Sequence, residues 1–459
     1  MKFKGRYVLK SFEKWSSVQI ITMGFLLIIL LGAMILSLPI CSSNYTYTNF
    51  IDSLFTATSA VCVTGLVVFD TSMHWSPFGQ VVIISLIQIG GLGFMTIATM
   101  VPLMRGKKIN LRNRLLIQES LNQIDLSGMV KLTKNIIYVV FFIEFIGALL
   151  LSIEFIPRYG PIKGFLYGLF HSISAFCNAG FDLMGRENGA FSSVTSLYDN
   201  SLIMLVISAL IILGGIGYPV ILDVLEKRKY SKLNVHSKMV IYSTAILLIL
   251  GIIVVFFNEY NNPNTLENMS MKGKVLSAIF QSTTLRTAGF NSIDLTMVKE
   301  STIFFMMLLM LIGASPASTG GGIKTTTIAV LFLTVKGFLY GRDEIQIFER
   351  SISEYTIRKS MVIFFIAVFT VMLGIFALSI TNPQFTLLES AFEVISAYAT
   401  VGLSIGGSAT LNVAGKIIIM ILMFLGRVGS LTIFAAILSI NLNKKDKNIK
   451  RAHGKIIVG

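Results

Sequence analysis

Long apolar stretches alternate with short charged connections along this chain. Between Lys14 and Asp52, Asp70 and Arg105, and Lys359 and Glu389 there is no Asp, Glu, Lys or Arg. Each window exceeds the ~20 residues that a helix needs to cross a hydrocarbon core. Extended along the sequence, this reading predicts eight spans in four pairs. They lie at about 17–39 and 78–104, 134–156 and 197–222, 236–258 and 299–336, and 360–380 and 412–440. Within each pair lies a stretch too short to cross, rich in Phe, Ser and Thr and carrying a glycine near its end. These are TATSAVCVTGLV (56–67), HSISAFCNAGFD (171–182), FQSTTLRTAGFN (280–291) and EVISAYATVGLS (393–404).

Aligning the four on Gly65, Gly180, Gly289 and Gly402 exposes a positional pattern. Six residues before the glycine stand Ser59, Ser174, Thr283 and Ser396, always a hydroxyl; ten before it stand Phe55, Phe170, Ile279 and Phe392, always large and apolar. Leu66, Phe181, Phe290 and Leu403 follow it. The glycines are 115, 109 and 113 residues apart, so the repeating unit is a whole helix–loop–helix. Backbone that enters a membrane and returns as extended chain survives only inside protein or along a watery path. Glycine permits positive φ, which can turn successive carbonyls toward an axis. Four such segments would form a ring of oxygens that replaces a cation's hydration shell. The expected fold is therefore an all-α polytopic membrane protein, with four helix–pore loop–helix repeats and eight spans around a central ion pore. We read residues 1–459 as one pore-forming domain, with repeats at approximately 17–104, 134–222, 236–336 and 360–440 and a cytoplasmic tail at 441–459. The candidate ion-binding residues are Val63, Thr64, Gly65, Asn178, Ala179, Gly180, Thr287, Ala288, Gly289, Thr400, Val401 and Gly402.

Composition agrees with a membrane protein: the mean hydropathy is +0.76, and 13% of residues are charged against roughly 25% in soluble domains. The net charge of +15 could suggest nucleic acid, but its distribution argues against that. Of 38 Lys and Arg, 28 fall in residues 1–17, 105–134, 223–238, 336–359 and 441–459, while 41–77 and 381–415 hold almost none. Positive connections stay cytoplasmic, which places both termini and three internal loops inside and attracts anionic lipid. The first apolar stretch has no cleavage site after a short core and reads as a retained helix. Three cysteines (Cys41, Cys62, Cys177) make no disulfide framework, and four scattered histidines make no metal site. His74 and His171 are expected near the outer surface.

One span is interrupted by GASPASTGGGIKTTT (313–327). A phosphate-binding loop would require Gly-Lys-Thr between strand and helix, whereas Ile323 separates Gly322 from Lys324 and both flanks are apolar. GGLG (90–93), GGIG (214–217) and GRVG (426–429) occupy corresponding places in the other units. The third unit thus expands a short glycine-containing packing site into a broken helix, with Pro316 removing a helical donor. A kink packed against neighbours is one reading. A mobile gate below the filter, built from Gly313, Ser315, Pro316, Ser318, Thr319, Gly320, Gly321, Gly322 and Lys324, is the other. Arg427 stands where the other units have Gly91, Gly215 and Ala314, and is expected to project below the filter, paired with Glu144 or with a carbonyl. At ~6 Å and an effective dielectric of ~20, it would repel a passing cation by ~3 kcal/mol.

TVGLS (400–404) is close to the TVGYG of potassium channels. Together with RTAGFN, CNAGFD and the Gly313–Lys324 interruption, it makes the whole chain resemble the bacterial potassium transporters of the Trk/Ktr/HKT superfamily. With no room for an extra N-terminal helix pair, it is most similar to the Ktr membrane subunits (KtrB/KtrD-like). Where channels carry a second glycine, this chain has Val67, Asp182, Asn291 and Ser404, so strict preference over sodium does not follow. The resemblance implies potassium uptake across a bacterial cell membrane, gated by the interruption. It also implies a homodimer with one pore per chain and a cytosolic nucleotide-binding ring of KtrA/KtrC type. Potassium would be the substrate and sodium a candidate activator, with no covalent cofactor and no resident metal. The loops 105–134 and 336–359 and the tail after Asn441 are candidate docking surfaces or lipid-facing segments. A Trk-type or less selective sodium/potassium transporter is the alternative, as is a secondary transporter of another fold, although such folds often carry inverted repeats and these four run the same way. A membrane enzyme would need converging chemistry, and only Glu144 and Glu154 share a span. A scaffold would leave the four aligned glycines unexplained.

Overall fold

The computed structural model describes residues 17–93, 129–342 and 344–429. The expected termini, the 94–104 and 430–440 ends of two predicted spans, and most of the 105–134 loop lie outside the described residues. The long helices are α1 (Ser17–Leu36), followed by the short α2 (Phe50–Cys62) and α3 (Pro77–Leu92). The second unit comprises α4 (Met129–Tyr159), α5 (Pro161–Phe176), α6 (Ser201–Ile216) and α7 (Tyr218–Lys227). In the third are α8 (Val235–Glu259), α9 (Met271–Thr284), α10 (Glu300–Leu311) and α11 (Thr325–Leu339), and in the last α12 (Glu354–Thr381), α13 (Leu387–Ala399) and α14 (Val413–Val428).

Local chemistry sets many of the starts. Asn49, Ser76, Asn200, Ser270 and Asn412 each accept a backbone N–H at the head of α2, α3, α6, α9 and α14. Thr386 and Glu389 form a capping box on α13, so backbone donors freed at these ends find side-chain acceptors. Length and apolarity then separate two classes of helix. Among the described residues, four helices are long and apolar enough to cross a membrane, in α1, α4, α8 and α12, and five if the bent pair α6–α7 counts as one span. Phe142, Phe257 and Phe365 lie exposed on α4, α8 and α12, a surface suited to lipid and not to water.

The short helices behave in the opposite way. On α2, α5, α9 and α13 the buried set includes Phe55, Phe176, Phe280 and Phe392, all fully enclosed. α1 packs on α2, α4 on α5, α8 on α9 and α12 on α13. The helix after each glycine segment then packs on the next short helix: α3 on α5, α6 on α9, α10 on α13, and α14 back on α2. The contacts close a circle, with the short helices inside.

The expected span over 197–222 is not one straight helix. α6 and α7 meet at 97°, because Gly217 adopts φ 100° and Pro219 starts the new helix without an amide donor. Asp223 on α7 then binds Lys227 at 2.8 Å and the Asn234 amide at 2.9 Å. Burial opposes its charge, but bonds from Lys227, Ser237 and Asn234 outweigh that and hold its pKa below the ordinary carboxylate value. α3 and α14 end at left-handed Gly93 and Gly429, so GGLG, GGIG and GRVG all close a helix. The third unit is therefore not alone in having a broken second helix. Of the two breaks that described helices bound on both sides, its is the longer: α10 and α11 are separated by residues 312–324, α6 and α7 by Gly217 alone.

Candidate ion filter and gate

Gly65, Gly180, Gly289 and Gly402 have φ of 97°, 68°, 83° and 90°. The residue two places earlier is left-handed as well, at Val63 (55°), Asn178 (59°), Thr287 (68°) and Thr400 (52°). For a β-branched Val or Thr this conformation is an outlier that the surroundings must enforce. The four glycines abut in a closed cycle. A side-chain carbon on Gly65 would lie 2.5 Å from the Ala179 carbonyl oxygen, one on Gly180 2.7 Å from that of Ala288, and one on Gly289 2.9 Å from that of Val401. On Gly402 it would overlap the Thr64 oxygen and approach the Cα of Gly65 to 2.9 Å. Thus Thr64, Ala179, Ala288 and Val401 each set a carbonyl against the glycine of an adjacent segment. Leu66, Phe181, Phe290 and Leu403 are buried behind them.

The repeated hydroxyl acts differently from unit to unit. Ser59 Oγ accepts the Gly65 N–H at 3.0 Å and Ser396 Oγ the Gly402 N–H at 3.1 Å. Ser174 instead donates to the Phe181 carbonyl at 2.7 Å, and Thr283 only bonds back to Ile279 in its own helix. The third unit explains its own exception. Elsewhere the residue before the glycine donates its amide to the carbonyl five positions earlier, as Thr64 to Ser59, Ala179 to Ser174 and Val401 to Ser396. Ala288 donates to Thr284, four earlier. The turn is one residue tighter, and the buried aromatic is Phe280, while Ile279 is only half-buried. The expected equivalence of Ile279 with Phe55 is corrected accordingly. Ser59→Ala is expected to lower stability by about 1–3 kcal/mol, since it leaves a buried amide unpaired. Thr283→Ala is expected to cost less, and thermal unfolding of the two purified variants compares them.

The 312–324 segment folds back on itself beneath these turns. Ile312 and Ile323 bridge, and Gly313 N–H donates to the Ile323 carbonyl at 2.9 Å. The amides of Ser315 and Thr319 reach the Gly215 and Gly214 carbonyls at 3.0 and 3.2 Å. The Gly321 amide donates to Thr400 Oγ1 at 3.0 Å, and a side chain on Gly320 would strike Thr287. The loop therefore touches two of the four left-handed turns directly. Lys324 Nζ donates to Gly320 O at 2.6 Å, and Ser318 Oγ to the Ser315 carbonyl at 2.6 Å. Pro316 lies against Gly217, where a side chain would come within 2.5 Å of the proline carbonyl.

Arg427 clamps this loop. Its guanidinium donates to the carbonyls of Thr319, Gly90 and Gly91, which joins the loop to the end of α3. It is not paired with Glu144, one of the two expected partners. Glu144 accepts instead from Gln88 Nε2 at 3.0 and 3.1 Å. Tyr218 makes a second clamp, its amide on the Ala317 carbonyl at 2.9 Å and its hydroxyl on that of Gly91 at 3.1 Å.

A chain with this cycle of glycines matches the TrkH family, described as cation transport proteins, over residues 13–449. The chain belongs to that family. It is 42% identical over 446 residues to the Ktr system potassium uptake protein B of Bacillus subtilis, covering 97% of each chain. It is 39% identical over 450 residues to the potassium/sodium uptake protein NtpJ of Enterococcus hirae, covering 97% of this chain and 98% of that one. The crystal structure of the potassium transporter TrkH from Vibrio parahaemolyticus superposes with a TM-score of 0.71 over 94% of this chain and 86% of that one, at 16% identity. That likeness is one of fold. The family is one of transport proteins and not of enzymes.

Several residues of this TrkH-family chain stand where the sequence did not point. His171 is fully buried on α5, its Nδ1 beside the Tyr167 carbonyl and its Nε2 accepting the Leu183 amide, and is not a surface residue. Its bonds tie α5 to the chain just after Gly180. Arg286, one residue before Thr287, is buried with Nε and Nη1 unpartnered. Thr64 Oγ1, Asn178 Oδ1, Thr284 Oγ1 and Thr319 Oγ1 also lack a partner in the protein. Glu393 accepts from Ser404 and Ser408, which gives Ser404 a role in fixing the turn after Gly402.

Proposed function

We propose that this protein is the membrane subunit of a bacterial potassium uptake system of the Ktr type. In this reading eight spans surround one pore, with both termini in the cytoplasm. Val63 to Gly65, Asn178 to Gly180, Thr287 to Gly289 and Thr400 to Gly402 line the filter, and their carbonyls substitute for the water around a dehydrating potassium ion. The observation that carries this is the closed cycle in which each filter glycine lies against a carbonyl of an adjacent segment. The unpartnered polar atoms of Thr64, Asn178, Thr284 and Thr319 suit a hydrated passage, since such atoms in a dry interior would cost free energy. Residues 313–324 with Arg427 act as the gate, because the loop touches Thr287 and Thr400 and is tethered by hydrogen bonds that can be exchanged. The chain works as a homodimer, and a cytosolic nucleotide-binding subunit sets the state of the gate.

Purified protein in liposomes tests this. Potassium or rubidium is expected to enter down its gradient, and equal flux through empty vesicles would reject the reading. Sodium passage or activation is a second reading. It is favoured by the potassium/sodium uptake protein at 39% identity and by Val67, Asp182, Asn291 and Ser404 in place of a second ring of glycines. Sodium flux in the same vesicles decides it.

A further inference from the structure

Between α3 and α5 lies a groove of about 330 Å³, at the small end of the range for ligand pockets. Val81 and Ile84 of α3 and Leu166 and Phe170 of α5 line it. Val81 and Leu166 are 59% and 54% exposed, an apolar surface suited to an acyl chain. Leu183, three residues beyond the filter glycine Gly180, also borders the groove.

Two cations complete it, Lys163 and Arg186, and both are exposed. Neither belongs to any ion pair among the described residues. Lys163 sits in the first turn of α5, where the helix dipole disfavours positive charge, so helix stability does not account for it. Its ammonium lies 5.2 Å from the ring centres of both Tyr159 and Tyr167. Arg186 is held from two sides, its amide donating to Ser72 Oγ at 2.9 Å and its Nη2 to Ser43 Oγ at 3.2 Å. The connection between α2 and α3 and the one between α13 and α14 hold no Lys or Arg at all. An apolar groove capped by two unpaired cations at the membrane boundary matches a molecule with an acyl chain and an anionic head.

We propose that this groove binds one anionic phospholipid, its acyl chain between α3 and α5 and its headgroup phosphate on Lys163 and Arg186. The bound chain would cover Val81 and Leu166 and press on the already buried Phe170 and Leu183, and so stiffen the second filter segment from behind. Each cation is expected to contribute about fivefold in affinity, and the pair about twenty-fivefold.

Native mass spectrometry of the full-length protein, purified in detergent and titrated with phosphatidylglycerol or phosphatidylcholine, measures this without reference to transport. The wild type is expected to retain one more phosphatidylglycerol per chain than the Lys163→Ala/Arg186→Ala variant. Val81→Trp, which fills the groove and leaves the charges alone, is expected to displace the same lipid. Lys272→Ala/Lys274→Ala removes two cations from the corresponding end of α9 and is expected to leave occupancy unchanged. Equal retention in the wild type and the groove variants overturns the proposal. So does equal loss from the α9 variant, which would mean diffuse attraction, or equal retention of phosphatidylcholine. If Val81→Trp breaks self-association and leaves lipid unchanged, the groove is a contact between two copies of the chain and the proposal fails.

Discussion

Gly402→Asp is expected to reduce potassium flux by more than tenfold and to blur discrimination against sodium in whatever flux remains. Two costs act together at this position. A residue with a side chain at φ 90° carries left-handed strain of roughly 1–2 kcal/mol. Its Cβ would also overlap the Thr64 carbonyl oxygen and press on the Cα of Gly65. Distortion therefore passes from the fourth glycine segment to the first. In the proposed filter, a carbonyl that turns away leaves the dehydrating ion one ligand short. Gly406 provides the control. It has φ 94°, yet a side chain there would meet only Thr296 Cγ2 at 3.8 Å. Gly406→Ala carries backbone strain without a blocked ring and is expected to retain flux within a few-fold. Paired flux measurements in liposomes, at equal reconstituted protein, check both. Loss of flux in the Gly406 variant alone, or in neither, would contradict the assignment of the ring.

The glycines were legible in the sequence because one residue type answers two demands at once, positive φ and absence of a side chain, and it recurs at a fixed distance from a hydroxyl. The left-handed residues two places earlier were not. Val63 and Thr400 are among the residue types that resist this conformation, and only the surrounding packing imposes it. Phe280 was misaligned for a different reason. The third unit places its buried aromatic, Phe280, nine residues before its glycine, where Phe55 and Phe392 stand ten before theirs, so an alignment anchored on Gly289 pairs Ile279 with them. Arg427 was visible as a lone charge in an apolar stretch, but its partners are the carbonyls of Thr319, Gly90 and Gly91, which leave no mark in a sequence. The 97° turn between α6 and α7 did have a signal in Gly217-Tyr218-Pro219, a left-handed helix end followed by an N-terminal proline. It was obscured by the likeness of GGIG to the helix-packing glycines of the other units. The burial of His171 leaves no mark in the sequence, because a buried histidine is recognised only by its acceptors and donors, here the Tyr167 carbonyl and the Leu183 amide.

Deleting residues 314–321 is expected to raise potassium flux by about ten- to a hundredfold, a barrier change of ~1.4–3 kcal/mol. The deletion is compatible with the fold because the two ends of the segment already meet. Ile312 and Ile323 bridge, and a side-chain carbon on Gly313 would sit 3.0 Å from the Cα of Gly322, so joining them requires little more than the ordinary 3.8 Å step between neighbouring Cα atoms. α10 and α11 then keep their places while the loop under Thr287 and Thr400 is gone. What remains below the glycine cycle is Arg427, released from Thr319 but still beside the carbonyls of Gly90 and Gly91. Arg427→Gln alone removes both the charge and its hold on the loop, and is expected to accelerate flux less than the deletion. The two changes share the Arg427–Thr319 contact, so their effects should combine less than additively. Additive effects would mean that charge and loop obstruct the ion separately. Unchanged flux through the deletion variant, in protein that inserts and elutes as the wild type does, would remove residues 313–324 from the gate and leave them a packing kink.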